Sequence, residues 1–178
     1  MTTWKIDPSH STLEFSARHM MITTVKGSFS GLEGTVTLDA ADPSRSMAEV
    51  TIQAASIDTR TEKRDQHLRS GDFLDVENHP TITFRSTRIQ GNPASLGTAF
   101  TLEGDLTIRG TTKSGTLDVT YEGEGTDPWG GTRRSFGAKG KIDRREFGLT
   151  WNQALEAGGV LVSNEIKIEI DLQLVREG

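Results

Sequence analysis

The sequence predicts an all-β protein, an antiparallel barrel of about eight strands with one short helix between two of them. Period-two alternation recurs along most of the chain, as in TLEFSARHM, where Leu13, Phe15 and Ala17 share one face. Nineteen glycines are spread over the 178 residues, which suits many tight turns. One-sided alternation is typical of antiparallel sheets, because buried parallel strands read as continuous apolar runs.

The alternating segments predict strands separated by turns that contain Gly, Asp or Asn. In chain order they are TLEFSARHM, GTVTLDA, AEVTIQAAS, TITFRST, FTLEGDLTIRG, TLDVTYEG, SFGAKGKID and NEIKIEIDLQLV. Glycines such as Gly27 and Gly104 predict the bends or bulges that allow a sheet to curl closed. No repeat or linker separates the segments, so we expect residues 1–178 to form a single domain.

One charged run, RDQHLRSGDFLDVENHPTITF at residues 64–84, interrupts this pattern. Thr59 followed by Glu62 has capping-box spacing, Asp65 and Arg69 can pair one turn apart, and Gly71 can end a helix in the left-handed conformation. These signals predict a helix over about residues 60–70.

The apolar content of this predicted helix is low. Leu68 is followed only later by Phe73 and Leu74. A helix with so narrow an apolar stripe rests on a surface rather than inside a core. We therefore expect these three side chains to pack on the barrel while the charges face water.

Composition argues against several classes of protein. The net charge of −5, with both signs interspersed, does not provide the basic patch that duplex binding requires, so no nucleic-acid partner is expected. No stretch approaches the roughly 18 apolar residues of a membrane span. The start lacks a basic and then apolar signal region, which favours the cytoplasm and leaves a mature exported form open.

Catalytic and metal-binding patterns are weak. The histidines His10, His19, His67 and His79 have no metal-binding spacing, so neither a metal nor a cofactor is expected. The segment DPSHS places Asp7, a serine and His10 together, but it reads as an Asx-type turn before a strand. The remaining question concerns the interior, because an eight-stranded barrel can either fill with side chains or hold one ligand.

Five ordered blocks resemble the YceI-like family of polyisoprenoid-binding, lipocalin-like proteins. They are WKIDPSHSTLEFSARHM…VKGSFSGLEGTV, SIDTRTEKRDQHLRSGDFLDVENHPTITFRST, LEGDLTIRGTTK, DPWGGTRRSFGAKGKIDRREFGLTWN and VSNEIKIEIDLQL. The resemblance covers nearly the whole chain, and five blocks in order are more specific than any single motif.

The resemblance implies a barrel with a long apolar tunnel that holds a polyprenol, a polyprenyl phosphate, an isoprenoid quinone or another long-chain amphiphilic lipid without chemistry. An enzyme that acts on such a lipid, with His67 or His19 as general base, and a stress-related barrel with a filled core remain alternatives. Transient membrane contact and a homodimer are also expected, the latter because a barrel has open ends and strand edges.

Alternation selects the side chains expected to face this tunnel. Three further residues, His19, Arg64 and His67, are candidates for contact with a lipid headgroup. The predicted tunnel wall consists of Phe15, Ala17, Phe29, Ile52, Phe84, Leu102, Leu106, Ile108, Val119, Phe136, Trp151, Ile168 and Ile170.

Overall fold

The computed structural model describes residues 1–155 and 159–178, and within them the chain forms one antiparallel sheet of eleven strands and one α-helix. In chain order these elements are β1 (Thr2–Ile6), β2 (Thr12–His19), β3 (Thr23–Phe29), β4 (Leu32–Leu38), β5 (Met47–Gln53), β6 (Ile57–Asp58), α1 (Glu62–Arg69), β7 (Thr81–Gln90), β8 (Ala99–Ile108), β9 (Thr111–Thr126), β10 (Thr132–Asp143) and β11 (Glu165–Arg176).

The sheet closes into a barrel. The eleven strands occupy only eight positions around it, because each of three positions is shared by two consecutive strands. These pairs are β1 with β2, β3 with β4, and β5 with β6. Strand β11 completes the ring by pairing with both halves of the first position, with Ile6 opposite Leu174 and Leu13 opposite Ile170. The predicted antiparallel barrel of about eight strands with one helix is confirmed.

The first break in a barrel strand has a local cause. A short 3₁₀ turn over Pro8–His10 separates β1 from β2, and the Asp7 side chain caps it by accepting from the backbone N–H of Ser9 at 3.0 Å. Proline has no N–H to donate to a sheet, which favours a break at this point. The turn predicted for DPSHS is therefore present.

The helix is shorter than predicted, and its boundary signals were misread. It begins at Glu62 after Thr61 and ends before Ser70, while Gly71 is not in the left-handed conformation. The capping-box interpretation of Thr59 was wrong, since Thr59 lies outside the helix and donates to the Asp65 carboxylate through both its N–H and its hydroxyl.

The predicted pairing of Asp65 with Arg69 was also wrong. Asp65 is only 3% exposed, so it does not face water as expected for the helix charges. Arg69 instead contacts Glu62 at 3.4 Å and donates to the backbone carbonyls of Ala55 and Ile57. Leu68, Phe73 and Leu74 do pack on the barrel as expected. The helix is thus fastened to the barrel by polar as well as apolar contacts.

Two groups of buried side chains, both parts of one hydrophobic core, lie toward opposite ends of the barrel. At the end that contains Trp4, the side chains of Trp4, Phe100, Phe136 and Leu174 are almost fully covered. At the end that carries α1, the buried side chains are Phe73, Leu74, Ile108, Phe147 and Leu149.

Among the described residues, no helix has the length and apolar character needed to cross a membrane.

Candidate ligand cavity

The barrel encloses a cavity of about 450 Å³, and residues from both buried groups contribute to its lining. Its wall is formed almost entirely by apolar side chains that point inward from every barrel position. This volume lies within the roughly 300–1,000 Å³ range of small-molecule sites in proteins.

Strand β11 contributes an apolar face to this cavity. Its inward residues alternate with exposed charged ones, and Ile166, Ile168, Ile170 and Leu174 all line the cavity. The three isoleucines are only partly buried, whereas Leu174 is 0% exposed. The cavity therefore borders both the partly covered and the fully covered part of this strand.

Every predicted wall and headgroup residue lines this cavity, including His19, Arg64 and His67. For the strand residues this follows from register, because a period of two fixes which face of a strand points inward, whereas Arg64 and His67 lie in α1 and Trp151 lies in a loop. Contact of these residues with a ligand stays a prediction.

Two strand glycines shape the wall, and Gly104 lies opposite a β-bulge between Ser86 and Arg88, as expected for a strand glycine. Gly27 lies directly opposite Phe15, and a Cβ on Gly27 would come within 2.3 Å of the Phe15 ring. A Cβ on Gly104 would come within 2.4 Å of the Phe84 ring. Both glycines thus leave room for a cavity-lining phenylalanine on the neighbouring strand.

The charged side chains of the cavity lining all have one sign. Arg64 and Arg144 contribute to it together with His19 and His67, while no acidic residue does so in the described parts of the chain. Arg18 and Lys141 also border the cavity, but their side chains lie at exposed outward positions of their strands, where they contact Thr24 and Glu165. The protein as a whole carries a net charge of −5, so the charge of the cavity lining is opposite in sign to the net charge of the chain. Such a wall favours an anionic or electron-rich group at one end of the ligand.

The Arg64 side chain is fixed by hydrogen bonds to Thr59. Its Nε donates to the Thr59 hydroxyl and its Nη2 to the Thr59 carbonyl, both at 2.7 Å, and the same hydroxyl donates to Asp65. The remaining nitrogen, Nη1, has no hydrogen-bond partner among the described residues. Arg64 is therefore a fixed cation at the cavity wall whose Nη1 can donate hydrogen bonds to a ligand.

His67 lies in an aromatic cluster beside Arg64. Its ring contacts Trp151 and Phe73 edge-on, with centroids 4.7 Å and 5.1 Å away, and its Nε2 is 2.8 Å from a carboxylate oxygen of Asp72. The sequence did not indicate this cluster, since Trp151 comes from a loop 84 residues later than His67.

Arg144 anchors that loop. Arg144 is 4% exposed, and its guanidinium donates to the carbonyls of Leu149, Trp151, Val162 and Ser163. Burial lowers the pKa of Arg144 from its ordinary value. Four carbonyl dipoles thus take the place of a carboxylate around a buried cation.

Several residues that line the cavity were not predicted from the sequence. Val25 belongs to β3, which was not predicted as a strand, and Leu149, Leu161 and Val162 belong to the loop held by Arg144. Alternation could not find the loop residues, because they lie outside any strand.

The Asp7, Ser9 and His10 side chains meet but do not form a catalytic triad. The Ser9 hydroxyl and the Asp7 carboxylate approach the same ring nitrogen, Nδ1 of His10, at 3.1 Å and 2.8 Å. In a triad the nucleophile and the acid contact opposite ring nitrogens. Within residues 1–155 and 159–178, no three His, Asp or Glu side chains converge as metal ligands.

Relatives with similar sequences extend over most of the chain. A UPF0312 protein of Serratia proteamaculans is 42% identical over 149 residues, which cover 83% of this chain and 76% of that protein. A UPF0312 protein of Staphylococcus aureus is 38% identical over 170 residues, 95% of each chain.

Solved structures share the fold. Burkholderia cenocepacia BcnA matches with a TM-score of 0.79 at 24% identity, covering 94% of this chain and 98% of that one. A Campylobacter jejuni YceI protein matches with a TM-score of 0.75 at 26% identity, over 90% of each chain. A polyisoprenoid binding domain from Saccharophagus degradans, implicated in plant cell wall breakdown, matches with a TM-score of 0.67 at 13% identity, over 99% of this chain and 100% of that one.

The model of the YceI-like domain matches residues 4–174, a range that includes all eight barrel positions and the helix. The resemblance seen in the five sequence blocks is confirmed. This chain belongs to the YceI-like family.

Proposed function

We propose that the protein binds one long apolar lipid of the isoprenoid type inside its barrel and carries it without chemical change. The observation that carries this proposal is the apolar cavity of about 450 Å³ inside the barrel, which the inward isoleucines of β11 line. A structural relative with the same fold is described as a polyisoprenoid binding domain, which is the ligand class proposed for this chain.

The energetics are adequate. Transfer of a hydrocarbon chain from water into an apolar wall yields about 0.8 kcal/mol per CH₂. Association costs roughly 4–15 kcal/mol in lost freedom, so a chain of about twenty carbons or more is held firmly. An apolar wall discriminates poorly between chains of similar width, since one methylene changes binding by only about 1–3 kcal/mol.

The basic lining selects among polyprenol, polyprenyl phosphate and isoprenoid quinone. Arg64 offers an unused guanidinium nitrogen, and His19 and His67 border the same cavity. Hydrogen bonds to charged groups contribute about 1.5–3 kcal/mol, more than neutral ones. We therefore favour a polyprenyl phosphate, with Arg64 and the two histidines at its headgroup.

Organic extraction of the purified protein followed by mass spectrometry tests the ligand class. A prenyl-spaced lipid in about equimolar amount is the expected result. Thermal unfolding of emptied protein should then shift upward on addition of polyprenyl phosphate, because a ligand at about 100 times its Kd stabilises the folded state by about 2.7 kcal/mol. Protein that is empty after purification and gains no stability from polyprenols, their phosphates or quinones contradicts the proposal.

A substitution that fills the cavity tests whether the ligand binds there, and an outward substitution on the same strand is its control. Ile170→Trp should occupy the space and abolish the ligand-induced shift, whereas Glu169→Gln, at the adjacent outward position of β11, should leave it unchanged. Turnover of bound lipid by the wild-type protein, lost in His67→Ala or His19→Ala, would instead support the enzyme alternative.

The headgroup assignment is tested by a ratio of affinities. Arg64→Met should weaken binding of a polyprenyl phosphate about tenfold, equivalent to about 1.4 kcal/mol, and leave the affinity for the matching polyprenol unchanged. If Arg64 only supports Thr59, both affinities fall together. Arg85→Met, which removes an exposed arginine paired with Glu49 outside the barrel, serves as control.

A further inference from the structure

The turn between β2 and β3 exposes three large apolar side chains in a row. Met20, Met21 and Ile22 are 44%, 59% and 70% exposed, and we refer to residues 20–22 as the apolar turn. Tight turns usually carry Gly, Asn, Asp or Ser, each for a conformational reason. Adjacent exposed apolar residues mark a contact surface more often than single ones do.

The backbone of the apolar turn is unfavourable for the residues that occupy it. Met20 and Met21 both have left-handed backbones, with φ of 52° and 63°. Non-glycine residues rarely adopt this conformation, and asparagine or glycine would do so at lower cost. Two methionines here are therefore poorly explained by stability and better explained by what their side chains contact.

Neighbouring groups hold the turn firmly in place. The Met20 N–H donates to the Leu161 carbonyl at 2.8 Å, the Ile22 N–H donates to the His19 carbonyl at 3.2 Å, and Arg18 reaches the Met21 carbonyl through Nη2. The backbone of the turn is thus fixed, with Met21 packed against Gly159 and Ile22 the most exposed of the three side chains.

The apolar turn lies at the edge of the ligand cavity. His19, directly before it, lines the cavity and forms a β-bridge with Val162, which lines the cavity too, as does Leu161. A surface that receives this turn is therefore brought next to the basic part of the cavity wall.

The surrounding charge suits an anionic surface. Arg18 and Lys26 are exposed on the two strands that carry the turn. Between residues 15 and 32 the sequence contains no Asp or Glu, although acidic residues outnumber basic ones in the whole chain. Apolar side chains flanked by basic ones bind at the headgroup boundary of anionic bilayers.

The size of the patch argues against a second copy of the chain as its occupant. A stable protein interface buries about 800 Å² on each partner. Three partly exposed side chains of one turn present well below that area. Insertion of a few side chains into a bilayer has no such threshold, because the lipid closes around them.

We propose that the apolar turn docks the protein on anionic lipid bilayers by inserting Met20, Met21 and Ile22 at the headgroup boundary, with Arg18 and Lys26 beside lipid phosphates. Docking places the His19 edge of the cavity at the membrane surface, where a lipid enters or leaves; this last step rests on the proposed carrier function.

Vesicle cosedimentation tests the docking directly. The wild-type protein should bind phosphatidylcholine vesicles that contain phosphatidylglycerol, and bind pure phosphatidylcholine more weakly. The combined variant Met20→Ser, Met21→Ser and Ile22→Ser should lose at least about tenfold in vesicle affinity. The matched control Leu96→Ser with Trp129→Ser removes exposed apolar side chains from two other loops and should bind like wild type.

A second variant protects the test from misfolding. Met21 packs closely against Gly159, whereas Ile22 is the most exposed of the three, so Ile22→Ser alone should keep the fold and still weaken vesicle binding severalfold. Equal vesicle binding by wild type and the triple variant overturns the proposal, as does a wild-type protein that binds no vesicles. A wild-type dimer that the triple variant abolishes, without vesicle binding, overturns it in favour of self-association.

The test also separates docking from the carrier function. The vesicles contain no polyprenyl lipid, so their binding does not depend on an occupied cavity. The triple variant should still be stabilised by polyprenyl phosphate in detergent solution. Vesicle binding through the turn by a protein that takes up no prenyl lipid would leave docking intact and contradict the carrier function.

Discussion

At the end of the barrel near the start of the chain, Trp4 and Leu174 are 2% and 0% exposed, and the Arg134 guanidinium lies 4.9 Å above the Trp4 ring. At the end that carries the helix, the cavity wall contains Arg64, His67 and the loop anchored by Arg144. Both ends border the cavity, since Phe100, Phe136 and Leu174 line it too, but the first end does so with apolar side chains and the second adds Arg64 and His67.

The same difference runs along a single strand. The inward side chains of β11 change from partly covered isoleucines at the helix end to fully covered Leu174 at the other end. Under the proposed function, we expect a ligand to enter beside the helix, with its headgroup near Arg64 and its apolar chain toward the end that Trp4 covers.

The largest effect is expected where the packing is complete. Leu174→Ala should lower the free energy of unfolding by about 2–5 kcal/mol, because it removes much of a completely covered side chain. Ile168→Ala should cost clearly less in ligand-free protein, since its side chain is only partly covered. Urea denaturation of both variants measures the difference. Equal losses would mean that the interior around Ile168 is packed in solution.

The loop at the helix end should depend on Arg144. Arg144→Met leaves several buried carbonyls without donors, and each buried unsatisfied group costs about 1–3 kcal/mol; partial rearrangement of the loop should hold the total loss to about 2–3 kcal/mol. Arg145→Met is the matched control, because Arg145 is exposed and pairs only with Asp143, so its removal should change stability by less than about 1 kcal/mol. Denaturation monitored by tryptophan fluorescence checks both, and similar losses would contradict the anchoring role.

The sequence predicted the wall of the cavity better than its polar end. Alternation identifies inward residues such as Phe84 and Ile170 wherever a strand has several apolar residues in register. It missed β1 and β3 because each offers few of them; in β3 only Val25 and Phe29 are large and apolar, with Gly27 between them. The two-residue β6 is too short for any periodicity.

Polar contacts between distant segments could not be read from spacing. Thr59 and Glu62 have capping-box spacing, but the N–H and hydroxyl of Thr59 donate to the buried Asp65 carboxylate instead. Arg144 is buried among carbonyls up to 19 residues away. In each case the outcome depends on tertiary contacts, which local patterns do not contain.

The smallest effect concerns a charged network near the packed end. Arg133 bridges Asp7 and Asp127 at 2.6 Å and 2.9 Å. Hydrogen bonds from Ser9, Arg133 and His10 lower the pKa of Asp7, and those from Arg133 and backbone N–H groups lower the pKa of Asp127. Each carboxylate therefore stabilises the fold above the pKa it has when unfolded, about 3.9, and this contribution is lost as the pH falls toward the lower folded value.

Asp127→Asn should accordingly lower the unfolding temperature at pH 7 and much less at pH 3, where the wild type has lost part of the same contribution. Asp171→Asn, at an exposed outward position of β11, should show no such dependence. Thermal unfolding followed by circular dichroism at the two pH values measures both. A wild-type advantage over Asp127→Asn that is equal at pH 7 and pH 3 would show that the network acts through hydrogen bonding alone, independent of the charge on Asp127.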